Sequence, residues 1–135
     1  MASQALTQRV WQRARARCEY CQMLQEFDPL PFQIDHIIAR KHRGRTRLEN
    51  LALACFACNN HKGPNIAGID PDTHAVMPLF HPRRDDWREH FVWHGPELVG
   101  RTPIGRATIA VLAINLPRRV ALRRALMEEG VFPPP

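Results

Sequence analysis

A chain of 135 residues with 44% hydrophobic and 24% charged residues has the size and composition of one folded globular unit, which excludes a disordered or fibrous protein. No run of about 18 apolar residues occurs and the first residues carry no apolar signal region, so a membrane-spanning helix is excluded and a cytoplasmic location is the expectation. A formal net charge of +6 and a pI near 9.9 favour a polyanionic partner, of which nucleic acid is the commonest.

In chain order, the spacing of Leu6, Val10, Trp11 and Ala14 by threes and fours predicts a helix over residues 4–17. Pro29 and Pro31 keep the following stretch a connector, and the branched and aromatic run 32–38 predicts a strand. An Arg-rich loop with Gly44 at its tip leads to a turn and a second short strand ending near Ala54, then to a short helix from Asn59 stopped by Gly63-Pro64. From Ile66 the prolines and glycines predict a loop-rich segment, and Trp87, Phe91 and Trp93 lie in a stretch that suits one or two short strands. Two helices are expected after that, one over 105–115 opened by Thr102-Pro103 with Ile109, Leu112 and Ala113 as its inner face, and one over 118–129 that carries Val120, Leu122, Ala125 and Leu126. The expected fold class is α+β, a single domain over 1–135 with a core at 18–65 and a mixed, mainly helical extension at 66–135 packed on it.

All four cysteines lie in two Cys-x-x-Cys pairs, Cys18/Cys21 and Cys55/Cys58. A redox dithiol would need a thioredoxin-like setting that the flanking sequence lacks, whereas two knuckles of this spacing suit one tetrahedral Zn²⁺. Four thiolates close its coordination sphere, so this ion is structural, and it would staple a loop that contains Asp35 and His36.

Asp35, His36 and Asn59 are the residues with chemistry to offer. A neutral His can take a proton from water near pH 7, and a carboxylate with an amide oxygen suits Mg²⁺ or Mn²⁺. Together they support phosphodiester hydrolysis, with Arg40, Lys41, Arg43, Arg45 and Lys62 neutralising flanking phosphates. Strand geometry sends neighbouring side chains to opposite faces, so Asp35 and His36 share a site only if the backbone bends there.

The order Cys18-x-x-Cys21, Ile34-Asp35-His36-Ile37, Leu48-Glu49-Asn50-Leu51, Cys55-x-x-Cys58-Asn59-x-x-Lys62 closely resembles the zinc-stapled HNH endonucleases of the ββα-metal fold. The resemblance implies that His36 is the general base, that Asp35 and Asn59 are ligands of the catalytic cation, and that Asn50 orients the catalytic loop through hydrogen bonds. It further implies a hairpin bent at the Asp-His pair and double-stranded DNA as the partner. Residues 66–135 resemble the C-terminal part of small stand-alone bacterial members.

Plainer readings exist for the same residues. Asp35 can pair with a loop Arg, His36 can be a hydrogen-bonded structural His, and Arg118, Arg119, Arg123 and Arg124 can solvate an outer helix face. The competing function is a zinc-stapled nucleic-acid-binding module without catalysis, which would need the knuckles and the charge but not Asp35, His36 and Asn59 together.

Overall fold

A computed structural model describes residues 2–135. The first helix, α1 (Gln4–Ala14), begins where the Ser3 hydroxyl accepts from the Leu6 N–H at 3.2 Å. It stops short of the first knuckle because Arg15 and Ala16 both take left-handed backbone conformations. Val10 and Ala14 are its buried positions, with Leu6 and Trp11 packed beside them, and α1 lies against the second strand. Arg13 ties the two together by donating to the carbonyls of Leu48 (2.9 Å) and Leu51 (2.6 Å).

Strands β1 (Gln33–His36) and β2 (Leu51–Ala54) form an antiparallel pair, with Gln33 opposite Ala54 and His36 opposite Leu51. Every side chain of β2 is buried, as its unbroken Leu-Ala-Leu-Ala run requires. The loop between the strands folds through two short 3₁₀ turns, over Arg40–His42 and Leu48–Asn50. Its tip must be glycine: a Cβ on Gly44 would stand 1.6 Å from the Ile38 carbonyl oxygen. Helix α2 (Phe56–Lys62) then starts earlier than the sequence suggests, because Cys55 caps it, its sulfur accepting from the Cys58 N–H. Asn59 therefore sits inside the helix.

The remainder is less loop-like than its prolines suggest. A hairpin of β3 (Ala67–Ile69) and β4 (Val76–Pro78) is followed by a short helix α3 (Trp87–His90), so that Trp87 is helical where the aromatic pattern suits a strand. A second hairpin pairs β5 (Phe91–His94) with β6 (Glu97–Gly100). Helix α4 (Pro103–Val111) is capped by Thr102 and packs on β3, β4 and β6; a Cβ at Gly105 would meet the His90 carbonyl oxygen at 2.2 Å. The last helix, α5 (Pro117–Glu128), has its apolar residues spread around it rather than along one face, and two arginines are among the residues it buries. Arg119, Arg123 and Leu126 are buried, while Leu122 is 36% exposed.

The architecture is α+β, with three two-stranded sheets and five α-helices among the described residues. One hydrophobic core runs from Val10 through the cysteines and β2 to Phe80, Phe91, Leu112 and Leu126, joining the ββα unit to the extension. No helix among the described residues is long and apolar enough to cross a membrane.

Candidate functional site

The two knuckles converge. Cys18, Cys21, Cys55 and Cys58 are all buried and reduced, and their sulfurs lie within 4.8 Å of one another. A tetrahedron of Zn–S bonds about 2.3 Å long spaces its sulfurs about 3.8 Å apart, and the Sγ atoms of Cys21 and Cys55 are 3.8 Å apart. The four residues therefore fit zinc. Burial pushes the Cys18 and Cys58 thiols well above their usual range, whereas hydrogen bonds from the other three hold Cys21 well below it. Arg119 donates to the Cys58 sulfur at 3.0 Å and approaches that of Cys55 at 3.8 Å. Burial alone would lower the pKa of this guanidinium, but the surrounding thiolates outweigh it and raise it.

The residues between the two Cys of the first knuckle reach outward from it. Glu19 accepts from the Leu53 N–H at 2.8 Å and pairs with Arg83. Tyr20 donates its hydroxyl to Asp35 Oδ2 at 2.6 Å, and its carbonyl accepts from Trp87 Nε1 at 2.8 Å. Burial, together with the Asp35 charge, keeps the Tyr20 hydroxyl protonated and a donor.

Asp35 and His36 lie in an unbroken ladder, so the bend implied for the pair is displaced. The regular register runs through His36, and the chain bends at Ile37 and Ile38 instead. The two side chains accordingly leave opposite faces of β1. Gln33 and Asp35 face α2, where Asn59 Nδ2 donates to Gln33 and Lys62 Nζ donates to Asp35 Oδ1 at 3.2 Å. Asp35 and Asn59 thus border the same seam between β1 and α2. Burial raises the Asp35 carboxyl above its usual range against the pull of Lys62 and Tyr20.

Lys62 stands differently from its expected place beside phosphates. It is 1% exposed, and its three donors reach Asp35, the His36 carbonyl (3.2 Å) and the Ile37 carbonyl (3.1 Å). A lysine on the inner face of a short helix, with a carboxylate and two strand-end carbonyls ahead of it, has no donor left for a phosphate.

On the other face, His36 Nε2 lies 2.9 Å from the Thr46 hydroxyl. Burial lowers the His36 pKa, with Asp35 opposing and Arg40 adding to the shift, so the ring is neutral near pH 7. Asn50 ties the loop to the strand end: its Oδ1 accepts from the Ile38 N–H (2.9 Å), while Nδ2 donates to the carbonyls of Ile38 (3.0 Å) and Arg45 (2.9 Å). Arg40, Lys41, Arg43 and Arg45 are all exposed along that loop.

Sequence reading missed three residues here. Thr46 had no pattern to mark it. His81 and Arg84, in a His-Pro-Arg-Arg-Asp loop, come across from the extension and close a groove of about 260 Å³ against Arg43, Arg45 and Arg47. The His81 ring is held by the Arg83 N–H, which donates to Nδ1 at 3.2 Å. Burial and then Arg84 lower its pKa. Only the excess of arginine in that loop could have flagged it.

A divalent cation can be tested against the same geometry. The donor types on the β1–α2 seam, a carboxylate and an amide oxygen, suit a hard ion. Each Asp35 oxygen keeps a lone pair beyond its present hydrogen bond, and the Asn59 side-chain Oδ1 has no donor on it among the described residues. The residues fit such an ion in kind, although Lys62 now neutralises the carboxylate.

No curated protein and no solved structure matches the chain. The family described as HNH endonuclease matches residues 18–65, the stretch from the first zinc knuckle to just past α2. Residues 18–65 are therefore similar to the HNH endonuclease family, and their four cysteines gather into a cluster consistent with a zinc site around a ββα unit.

Proposed function

We propose that the protein is a metal-dependent HNH endonuclease that hydrolyses phosphodiester bonds in double-stranded DNA. The observation that carries this reading is His36. It lies in the segment that matches the HNH family, neutral and half-buried at the end of β1, with one ring nitrogen fixed by Thr46. With Nε2–H donating to the Thr46 hydroxyl, the lone pair is on Nδ1, which takes the proton from the attacking water. Asn50 holds the Ile38 backbone and the Arg45 carbonyl, which keeps the Arg-rich loop at a fixed distance from that ring. Arg40, Lys41, Arg43 and Arg45 contact phosphates on one side, and Arg84 contacts them from across the groove. Asp35 and Asn59 would hold Mg²⁺ or Mn²⁺ on the β1–α2 seam, and that charge would reach the phosphoryl oxygens and the leaving 3′ oxygen attacked through His36 only if the end of β1 bends to bring both side chains to one side. Four reduced cysteines suit a reducing compartment, the cytoplasm.

One observation favours a second reading, a zinc-stapled binding module without catalysis. Both Asp35 oxygens are already engaged, by Tyr20 and Lys62, and the side chain is 5% exposed. Supercoiled plasmid separates the two. The nuclease reading expects nicked circles to accumulate with added Mg²⁺ or Mn²⁺ and none once the cation is chelated. Tight binding to the plasmid with no nicking under either cation would establish the module.

A further inference from the structure

Four thiolates around one Zn²⁺ carry a net double negative charge, and here all four sulfurs are buried. Charge of that kind is stable in an apolar interior only beside compensating cations or N–H donors. The compensation comes from outside the HNH segment, from α5. Arg119 is 9% exposed, and one of its terminal nitrogens faces the Cys58 sulfur at 3.0 Å and that of Cys55 at 3.8 Å. The other donates to the Leu112 (2.8 Å) and Ala113 (3.0 Å) carbonyls, at the end of α4. One turn on, Arg123 is 1% exposed, stacked over Trp93 at 5.3 Å and donating to Pro96 and Asn115. Two further links join the extension to the other knuckle, Arg83 to Glu19 and Trp87 Nε1 to the Tyr20 carbonyl.

We propose that Arg119 is a positioning residue for the zinc site, and that the extension and the four-cysteine site hold together as one zinc-dependent unit through it. A guanidinium suits this place because its planar donors can serve two sulfurs on one side and two carbonyls on the other, which an ammonium cannot do. The proposal reaches past the nuclease reading and does not depend on it.

The test uses the full-length zinc-loaded protein at neutral pH. Zinc transfer to a chromogenic chelator is followed for wild type, Arg119→Met, Arg119→Lys and, as an exposed neighbour, Arg118→Met. Loss of an outer-shell partner typically weakens metal affinity about 10- to 100-fold. Arg119→Met should fall in that range, Arg119→Lys between it and wild type, and Arg118→Met with wild type. With Co²⁺ in place of zinc, the thiolate-to-metal absorption band should shift in Arg119→Met, because a hydrogen bond to sulfur has been removed. Hydrogen exchange on the wild type covers the case in which Arg119→Met fails to fold: chelating the zinc should strip protection from α4 and α5 as well as from the knuckles. Wild-type zinc retention with an unmoved band in Arg119→Met, or α5 amides still protected after complete zinc removal, would overturn the proposal.

Discussion

Lys62 and Asp35 form an ion pair with almost no contact with water, their side chains 1% and 5% exposed. Such a pair adds little net stability over an apolar filling, but removing one partner leaves the other charged and buried, at a cost of roughly 3–5 kcal/mol. Lys62→Met should therefore destabilise the zinc-loaded protein by roughly 3–5 kcal/mol, read from denaturant unfolding. A loss below about 1 kcal/mol, the range of exposed pairs, would mean that Asp35 does not depend on this ammonium. Individual site residues differ in how far the sequence exposes them. The cysteines are legible because ligand spacing is a local property of a turn. Lys62 is not, because a lysine beside a basic loop is ordinarily exposed and only the packing of α2 on β1 turns it inward. Thr46 becomes meaningful only once the loop brings its hydroxyl to His36, ten residues earlier in the chain.

At the scale of elements, the hairpin β3–β4 is fastened to α4 by charge. Asp70 is fully buried at the hairpin, and Arg106 reaches it with two donors at 2.9 Å each, while the Thr73 hydroxyl donates at 2.7 Å. The Arg106 hydrogen bonds hold the Asp70 carboxyl far below the usual carboxylate range, although burial opposes them. A carboxyl with a depressed folded pKa contributes stability above its unfolded value of about 3.9, and that contribution is lost as pH falls through the folded value. Asp70→Asn should thus be clearly less stable than wild type at pH 7, with the gap narrowing below about pH 4. A gap independent of pH would show that the charge is not what fastens the hairpin. This hairpin escaped the sequence because Gly68, Pro71 and Pro78 read as loop punctuation, whereas the buried Asp70 makes a tight turn of them. α5 was legible as a helix but not in its facing. Its apolar residues are spread around the helix and mark no one side, while packing against sulfur and carbonyl oxygen draws Arg119 and Arg123 in.

Over the whole molecule, zinc held by the four cysteines would compete with protons for the same sulfurs. Burial raises the Cys18 and Cys58 thiols, so metal binding must displace protons there, and lowering the pH favours the protonated, metal-free form. Zinc should leave on mild acidification, in step with a change in the fluorescence of Trp87, whose indole N–H bonds the first knuckle. Zinc loss with unchanged fluorescence would show that the extension does not sense the site. The broad plan, a helix, a stapled ββα unit and a further α and β segment, was legible in the sequence. The way the second half wraps the first was not, since it rests on long-range contacts such as Arg83 to Glu19 and Arg119 to Cys58.

His36 is the proposed general base within residues 18–65, the segment that matches the HNH endonuclease family. The most direct test compares plasmid nicking by zinc-loaded wild type and His36→Ala at equal DNA binding with added Mn²⁺. Loss of a general base predicts a fall of about 10²- to 10⁴-fold in the nicking rate with binding retained. Equal rates in the two proteins would contradict it.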